Sequence, residues 1–368
     1  MSVEKKPEKF SIVDCLTLAI DMGASDVHLR VDEPPVIRKD GRISRLDMPP
    51  VTERQLGICI DEILPKVIRN ATQSSFDIDF AYTIKGLSRF RVNLCRQLDH
   101  TALVFRVVPY NIKTVSALNL PQSILQFTEL SSGIVLVTGP TGSGKSTTIA
   151  SLMETINQNY AKHIVTIEDP VEFIYTNKKC LITQRQVGVD TDTFAAGVKY
   201  AMRQDPDIIL IGEIRDKETL ESALKAAETG HLVFATLHTN DAIQTVNRVI
   251  NLFDPSNREF IRHQLAQTLR GTVAQKLIPR SDIKGRIPAC EIMVVTPTVK
   301  DLIIKNELDQ IYELVRRGTY NEMLTLNMSL HLLARNKIIS TKDALANSNK
   351  ENELQQMLRG AYQGTVKQ

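Results

Sequence analysis

Two hydrophobic rhythms run along this chain, and the change between them near residue 118 divides it. From Ile12 to Met22 the apolar residues Ile12, Val13, Leu16, Ala19 and Ile20 recur at helical spacing, and Gly23 stops the run. Val27–Val31 alternates as a strand, Pro34-Pro35 interrupts it, and Val36-Ile37-Arg38 resumes before an Asp40-Gly41 hairpin signal. A second helix is predicted from Thr52 to Ile68, followed by strands over Phe76–Phe80, Ser88–Leu94 and Ala102–Val108. Residues 1–108 therefore read as a small α+β domain with an antiparallel sheet. The charged first ten residues are expected to fray, and 109–117, around Pro109–Thr114, to form a linker.

From Leu118 strands alternate with helices, which predicts a parallel α/β domain over 118–368. The strands are Ile134–Val137, His163–Ile167, Ile208–Ile211 and Leu232–Thr236. One helix runs to about Asn157, and another, Lys217–Thr229, is closed by Gly230. Beyond Asn251 the chain is expected to be mainly helical, with helices near Glu259–Leu269, Asp309–Arg317 and Met323–Asn336. The polar residues from about Asn347 are expected to dangle. The fold class is α/β in two domains.

Composition narrows the class. At 368 residues two domains are the natural expectation, and a net charge of +3 argues against direct nucleic-acid binding. No apolar run approaches the roughly 20 residues of a membrane span, and MSVEKKPEKF lacks the apolar core of a secretory signal. Five scattered cysteines form no C-x-x-C, so reduced thiols in a cytoplasmic protein are expected rather than zinc or disulfides.

Chemistry concentrates after the strand Ile134–Val137, in Gly139-Pro140-Thr141-Gly142-Ser143-Gly144-Lys145-Ser146-Thr147. This is G-x-x-x-x-G-K-[ST] between a strand and a helix. Glycines let successive backbone N–H groups turn inward, and the following helix N-terminus adds partial positive charge. ATP is the expected ligand, with Lys145 reaching the β/γ oxygens and Ser146 holding Mg2+. The carboxylates Glu168, Asp169 and Glu172 follow one strand. Glu213 follows another, which resembles a Walker B strand with Gly212 where an aspartate usually stands. Glu213 is the first choice to position or deprotonate the attacking water, and Glu168 the second, acting through Mg2+. The competing role is a helix cap or a pair with Arg215. His231 and His238 bracket the strand Leu232–Thr236; His238 is read as sensing the γ-phosphate and His231 as positioning nearby acids. Arg89 and Arg91 share a strand face, with Arg106 on the expected partner strand. They form either a solvated basic face or trans-acting fingers.

These motifs together resemble the type IV pilus retraction ATPases, the PilT/PilU branch of the secretion ATPase superfamily. The likeness runs from residue 12 to about 350. It rests on Gly23-Ala-Ser-Asp-Val-His-Leu29, Pro34–Gly41, Ser88–Asn93, GPTGSGKST, TIEDPVEF, RQDPDIILIGEIRD and TGHLVFATLHT. The resemblance implies a PAS-like N-terminal domain, a RecA-like P-loop ATPase domain with a helical C-terminal portion, and a homo-hexameric ring. ATP would lie between the two domains of a subunit. It makes Arg89, Arg91 and Arg106 the finger candidates, gives Glu213 the Walker B role and Glu168 the Asp-box role, and places His231 and His238 in the His box. It implies a cytoplasmic motor for pilus retraction and twitching motility, peripheral at the inner membrane through a platform protein, with a paralogous retraction ATPase as a further partner. The absence of paired C-x-x-C motifs favours this branch over the assembly and type II secretion ATPases. The helix expected to read like A-I-R-x-L-I-R-E appears as Thr298-Val-Lys-Asp-Leu-Ile-Ile-Lys305, which leaves an accessory PilU-like role open.

Overall fold

The computed structural model describes residues 10–39, 41–64, 77–108 and 111–360. Contacts divide the chain into two compact units, Met1–Asn111 with Glu172–Ile174, and Ile112–Val171 with Tyr175–Gln368.

The first unit is α+β. Helix α1 (Ile12–Asp21) opens at Ser11, whose hydroxyl accepts from the Asp14 N–H, and buries Ile12, Cys15, Leu16 and Ala19. Strands β1 (Asp26–Arg30), β2 (Val36–Lys39) and β3 (Arg42–Arg45) precede α2 (Glu53–Ile63), which starts with a capping box between Thr52 and Gln55. Strands β4 (Ile78–Ile84), β5 (Ser88–Gln97) and β6 (His100–Val108) complete an antiparallel sheet in the order β3-β2-β1-β6-β5-β4. The period of two is realised: Phe90, Val92, Leu103 and Phe105 enter the core, and the rings of Phe90 and Phe105 meet edge to face at 6.2 Å. The alternate positions, including Arg89, Arg91 and Arg106, line the opposite face. The expected helix to Ile68 is seen to Ile63; its residues 65–68, with Asp40, Phe76, Pro109 and Tyr110, lie outside the described residues.

The second unit begins with β7 (Gly133–Thr138), α3 (Lys145–Asn159), β8 (His163–Glu168), β9 (Leu181–Gln186) and α4 (Phe194–Ala201). It continues through β10 (Ile208–Ile211), α5 (Lys217–Glu228), β11 (Leu232–Leu237), α6 (Ala242–Asn251) and α7 (Arg258–Thr268). It closes with β12 (Leu269–Pro279), β13 (Arg286–Val294), α8 (Pro297–Lys305), α9 (Ile311–Arg317), α10 (Leu326–Arg335), α11 (Thr341–Asn347) and α12 (Glu351–Leu358). The sheet order is β13-β12-β7-β11-β10-β8-β9, parallel except for the antiparallel pair β12 and β13. Ile134, Leu136, Val165, Ile167, Ile209, Ile211, Val233 and Ala235 join the core on one face. Val135, Val137, Ile164, Ile208, Leu210, Leu232 and Phe234 join the core on the other. Burial on both faces explains why these strands read as unbroken apolar runs. These two units are the α+β and P-loop α/β folds that the resemblance implied.

Two expectations are amended. The chain beyond Asn251 is built mostly of helices, as expected, but not throughout: β12 and β13 form a long antiparallel pair that extends the central sheet. Both strands are covered on two faces, so alternation is lost, and Gly271 disguises β12 further. A Cβ there would stand 2.3 Å from the Phe127 ring, so only glycine fits that packing. The chain after Asn347 does not simply dangle: α12 buries Leu354 and Met357 against the C-terminal helical core.

Candidate nucleotide site

The parallel sheet order dictates which strand ends are neighbours. From β7 outward the sequence is β7, β11, β10, β8, and polar groups sit where each strand ends. The loop after β7, then His238, Glu213 and Glu168, therefore follow one another along the C-terminal edge, where ligands bind in open parallel sheets. At about 4.8 Å per strand, Glu213 lies two strands (~10 Å) and Glu168 three strands (~14 Å) from the loop strand along the sheet.

The loop is shaped for close approach. Gly139 has φ 143° and Gly144 φ 90°. A Cβ on Gly139 would meet the Gln275 carbonyl oxygen at 2.3 Å, and one on Gly144 the Gln275 side chain at 2.8 Å. Helix α3 starts at Gly144 with no side-chain cap, so its first N–H groups are not claimed by a capping side chain. The Lys145 ammonium is buried within the loop and donates to the Gly139 carbonyl at 2.9 Å and the Pro140 carbonyl at 3.2 Å. The Ser143 hydroxyl is buried without a hydrogen-bond partner. Open helix N–H groups, an orphaned hydroxyl and a close-fitting glycine turn suit a polyphosphate, and the half-buried Ser146 in the first turn of α3 is of the type that holds its Mg2+.

Glu213 is bridged. One carboxylate oxygen lies 2.8 Å from Arg215 and the other 2.9 Å from the His238 Nε2. Burial opposes ionisation, but the Arg215 hydrogen bond and charge, with His238, outweigh it and hold the carboxyl below its ordinary value. The pairing with Arg215 weighed from the sequence is thus present, shared with the histidine, while the helix-cap role falls to Asp216, which accepts from the Thr219 N–H. Gly212 lets the chain turn tightly here: its N–H donates to the Ile167 carbonyl, and a Cβ would crowd the Glu168 backbone at 3.3 Å. Thr236 of β11 donates to the Gly212 carbonyl at 2.6 Å, fixing the Glu213 segment to the strand that leads to His238. Glu168, buried at the end of β8, accepts from Thr166 at 2.7 Å and Gln184 at 3.3 Å.

His231 requires a correction. It precedes β11 whereas His238 follows it, and the strand between them spans on the order of 20 Å. The His231 Nδ1 lies 2.9 Å from the Ala226 carbonyl and 3.1 Å from the Thr229 hydroxyl, at the end of α5. It fastens that helix to the sheet and does not position the acids. On the open face of the first unit's sheet, Arg91 and Arg106 are directly opposed across β5 and β6, and Arg89 is one pleat along. Arg106 donates through Nε to Asp26 at 2.9 Å, and Arg91 lies 3.8 Å from Asp79.

Gln275 was not foreseen. This buried side chain of β12 accepts from Thr148 at 2.7 Å and donates to the Ser143 carbonyl at 2.7 Å, clamping the loop to the start of α3. Its signal was the amide that follows Val273 and Ala274 in the segment Val273–Ile278, since a buried polar group must find partners. Among the described residues, no cluster of three or more His, Cys, Asp or Glu could hold a metal ion, and no helix is long and apolar enough to cross a membrane.

The family model described as Type II/IV secretion system protein matches residues 4–344. The type IV pilus retraction ATPase PilT of Pseudomonas aeruginosa is 40% identical over 333 residues, covering 90% of this chain and 96% of that protein. The type IV pilus ATPase PilU of the same organism is 35% identical over 344 residues, 94% of this chain and 90% of that protein. A crystal structure of the pilus retraction motor PilT with bound ADP superposes with a TM-score of 0.88 at 40% identity, covering 95% of this chain and 100% of that one. With this match along nearly the whole chain, and a phosphate loop and acid edge to go with it, the chain belongs to the Type II/IV secretion system protein family, in its type IV pilus retraction ATPase branch.

Proposed function

We propose that the protein is an ATP-hydrolysing motor for type IV pilus retraction and twitching motility, working as a homo-hexamer on a platform protein of the inner membrane. The observation that carries this reading is the single sheet edge on which the glycine loop with Lys145, the His238–Glu213–Arg215 cluster and Glu168 lie in sequence. The loop N–H groups and the start of α3 receive the β- and γ-phosphates, and Lys145 transfers its hydrogen bonds from the loop carbonyls to phosphate oxygens. Mg2+, held by the Ser146 hydroxyl, would supply neutralising charge at those oxygens. Glu213 orients the attacking water and accepts its proton. While paired with Arg215 it is ionised but weakly basic; drawing Arg215 toward phosphate charge raises its basicity. His238, already on Glu213, reports the γ-phosphate through that carboxylate. Glu168 takes the Asp-box role and would act through that Mg2+. Arg89, Arg91 and Arg106 supply charge to the transition state; among the described residues Arg106 bonds Asp26 through Nε, which leaves its two terminal nitrogens for that task.

The test is Mg2+-dependent ATP hydrolysis by the purified protein, which Lys145→Ala or Glu213→Ala should nearly abolish. Wild-type turnover in both variants would remove the site assignment. Deletion in the host should leave abundant pili that do not retract; bald cells would indicate an assembly motor instead. The sequence of α8, Thr298–Lys305, favours one second reading, an accessory retraction subunit beside a paralogous ATPase. Deletion that leaves retraction running through that paralogue would select it.

A further inference from the structure

Glu291 is a carboxylate in the middle of β13, buried on a strand whose other buried side chains are apolar, and none of the hydrolytic roles uses it. It accepts a hydrogen bond from the Ala242 N–H at 2.8 Å, the first amide of α6. The Leu326 N–H, the first amide of α10, is a second and weaker partner of the same carboxylate. One side chain thus closes the N-termini of two helices, and both helix dipoles favour its negative charge. The two helices have different origins. Helix α6 follows His238 through only Thr239, Asn240 and Asp241, so its start is the far end of the loop that contacts Glu213. Helix α10 belongs to the C-terminal helical region, and the segment entering it pairs with β13 through reciprocal Ile292 and Leu324 backbone bonds of 2.7 and 3.0 Å. Beside Glu291 lies a cavity of about 400 Å3 lined by Asp241, Tyr312 and Lys350 among others, which leaves room for the helix ends to shift.

We propose that Glu291 is a positioning residue that couples the His238 loop to the C-terminal helices, passing the nucleotide state of the site to α10 through the two amides it accepts from. The inference rests on the nucleotide-hydrolysing reading above. When His238 and Glu213 rearrange around the γ-phosphate, the start of α6 moves with them. Glu291 either carries the start of α10 along or gives up one of two buried N–H groups, which is costly. Protonation weakens the same joint, because a neutral carboxyl has less acceptor capacity for two amides. Burial pushes Glu291 up to about 7 with help from Asp241, against the Ala242 and Leu326 amides and Lys350. The other ionisable groups around it are Lys276 of β12, whose ammonium burial disfavours, and Tyr312 of α9, raised by burial and by Glu353. Glu353 in turn meets Arg316 at 4.0 Å.

The experiment is hydrogen exchange on the full-length protein with and without Mg2+ and a non-hydrolysable ATP analogue, with turnover measured across pH. In the wild type the phosphate loop, Ala242 and Leu326 should gain protection together. In Glu291→Gln the loop should still respond while the Leu326 response is lost. That variant should keep the KM for ATP and lose about 3- to 30-fold in kcat. Wild-type kcat should fall as pH drops through about 7 while the variant shows no such inflection. A wild-type Leu326 amide indifferent to nucleotide, with a responsive phosphate loop, overturns the coupling and needs no variant to fold. A phosphate loop that does not respond overturns the nucleotide reading itself, and the coupling with it.

Discussion

The strands β7, β8, β10 and β11 of the parallel sheet are buried on both faces, whereas the antiparallel sheet of the first unit packs one face and leaves charged residues on the other. The difference decides where each sheet can carry chemistry. In the parallel sheet almost every side chain between strand ends serves one of two cores, so reactive groups collect where strands stop: the phosphate loop, His238, Glu213, Glu168. In the antiparallel sheet the open face holds charge in rows, with Arg38, Asp26, Arg106 and Arg91 in register across four strands. The first arrangement makes a rigid cradle, and the second displays cations that Asp26 and Asp79 keep in place.

The largest effect is expected at the open face. Arg106→Ala should lower kcat by about 10³-fold, as loss of an arginine finger does, with a small fall in unfolding temperature because buried Asp26 loses its partner, and Lys should not restore turnover. A variant with undiminished turnover would reduce that face to solvated charge. At the strand ends, Glu213→Gln should cost about 10²- to 10³-fold in kcat with ATP affinity preserved; single-turnover kinetics with a titrated nucleotide would show whether binding has been lost instead. Inside the parallel sheet, Ile209→Ala, fully buried in β10, should cost about 3 kcal/mol in denaturant unfolding, while Arg89→Ala on the open face should stay within about 0.5 kcal/mol. Equal costs would mean that the two faces are not so different.

The two histidines sharpen the contrast within one strand. His238→Ala should reduce turnover about 10-fold by freeing Glu213, whereas His231→Ala should leave turnover within about 2-fold and cost about 1 kcal/mol of stability. The reverse ranking would contradict the placement at opposite ends of β11. The smallest effect concerns Asp26. Burial would raise its pKa, but Arg106 and Ser25 hold it below the ordinary 3.8. Its contribution to stability is therefore complete above that value and is lost as pH falls through the lower folded one. Asp26→Asn should flatten the acid limb of the unfolding profile below about pH 4; an unchanged limb would show that the ion pair contributes little.

Much of this was legible in order of residues alone. The phosphate loop is local: glycines, lysine and serine at fixed spacing between a strand and a helix need no distant partner to be recognised. The period-two strands of the first unit were equally plain, because one packed face enforces alternation. The missing strands β12 and β13 are the counterexample. Their burial comes from β7, Phe127 and the C-terminal helices, all remote in sequence, so no local rhythm announces them. His231 was misplaced for a related reason. Seven residues look close on paper, but an extended strand turns them into a span across the sheet.

Residue type and short-range spacing alone specify the two kinds of sheet and the glycine loop with its lysine, and they single out the acids and arginines as candidates. Only the tertiary structure decided which of those groups are neighbours. Parallel pairing set β11 between β7 and β10, so His238 rather than His231 meets Glu213, and it brought Gln275 from more than 120 residues away against Thr148 and Ser143. Hydrogen bonds and ion pairs act over a few ångströms of space, and distance along the chain does not enter into them.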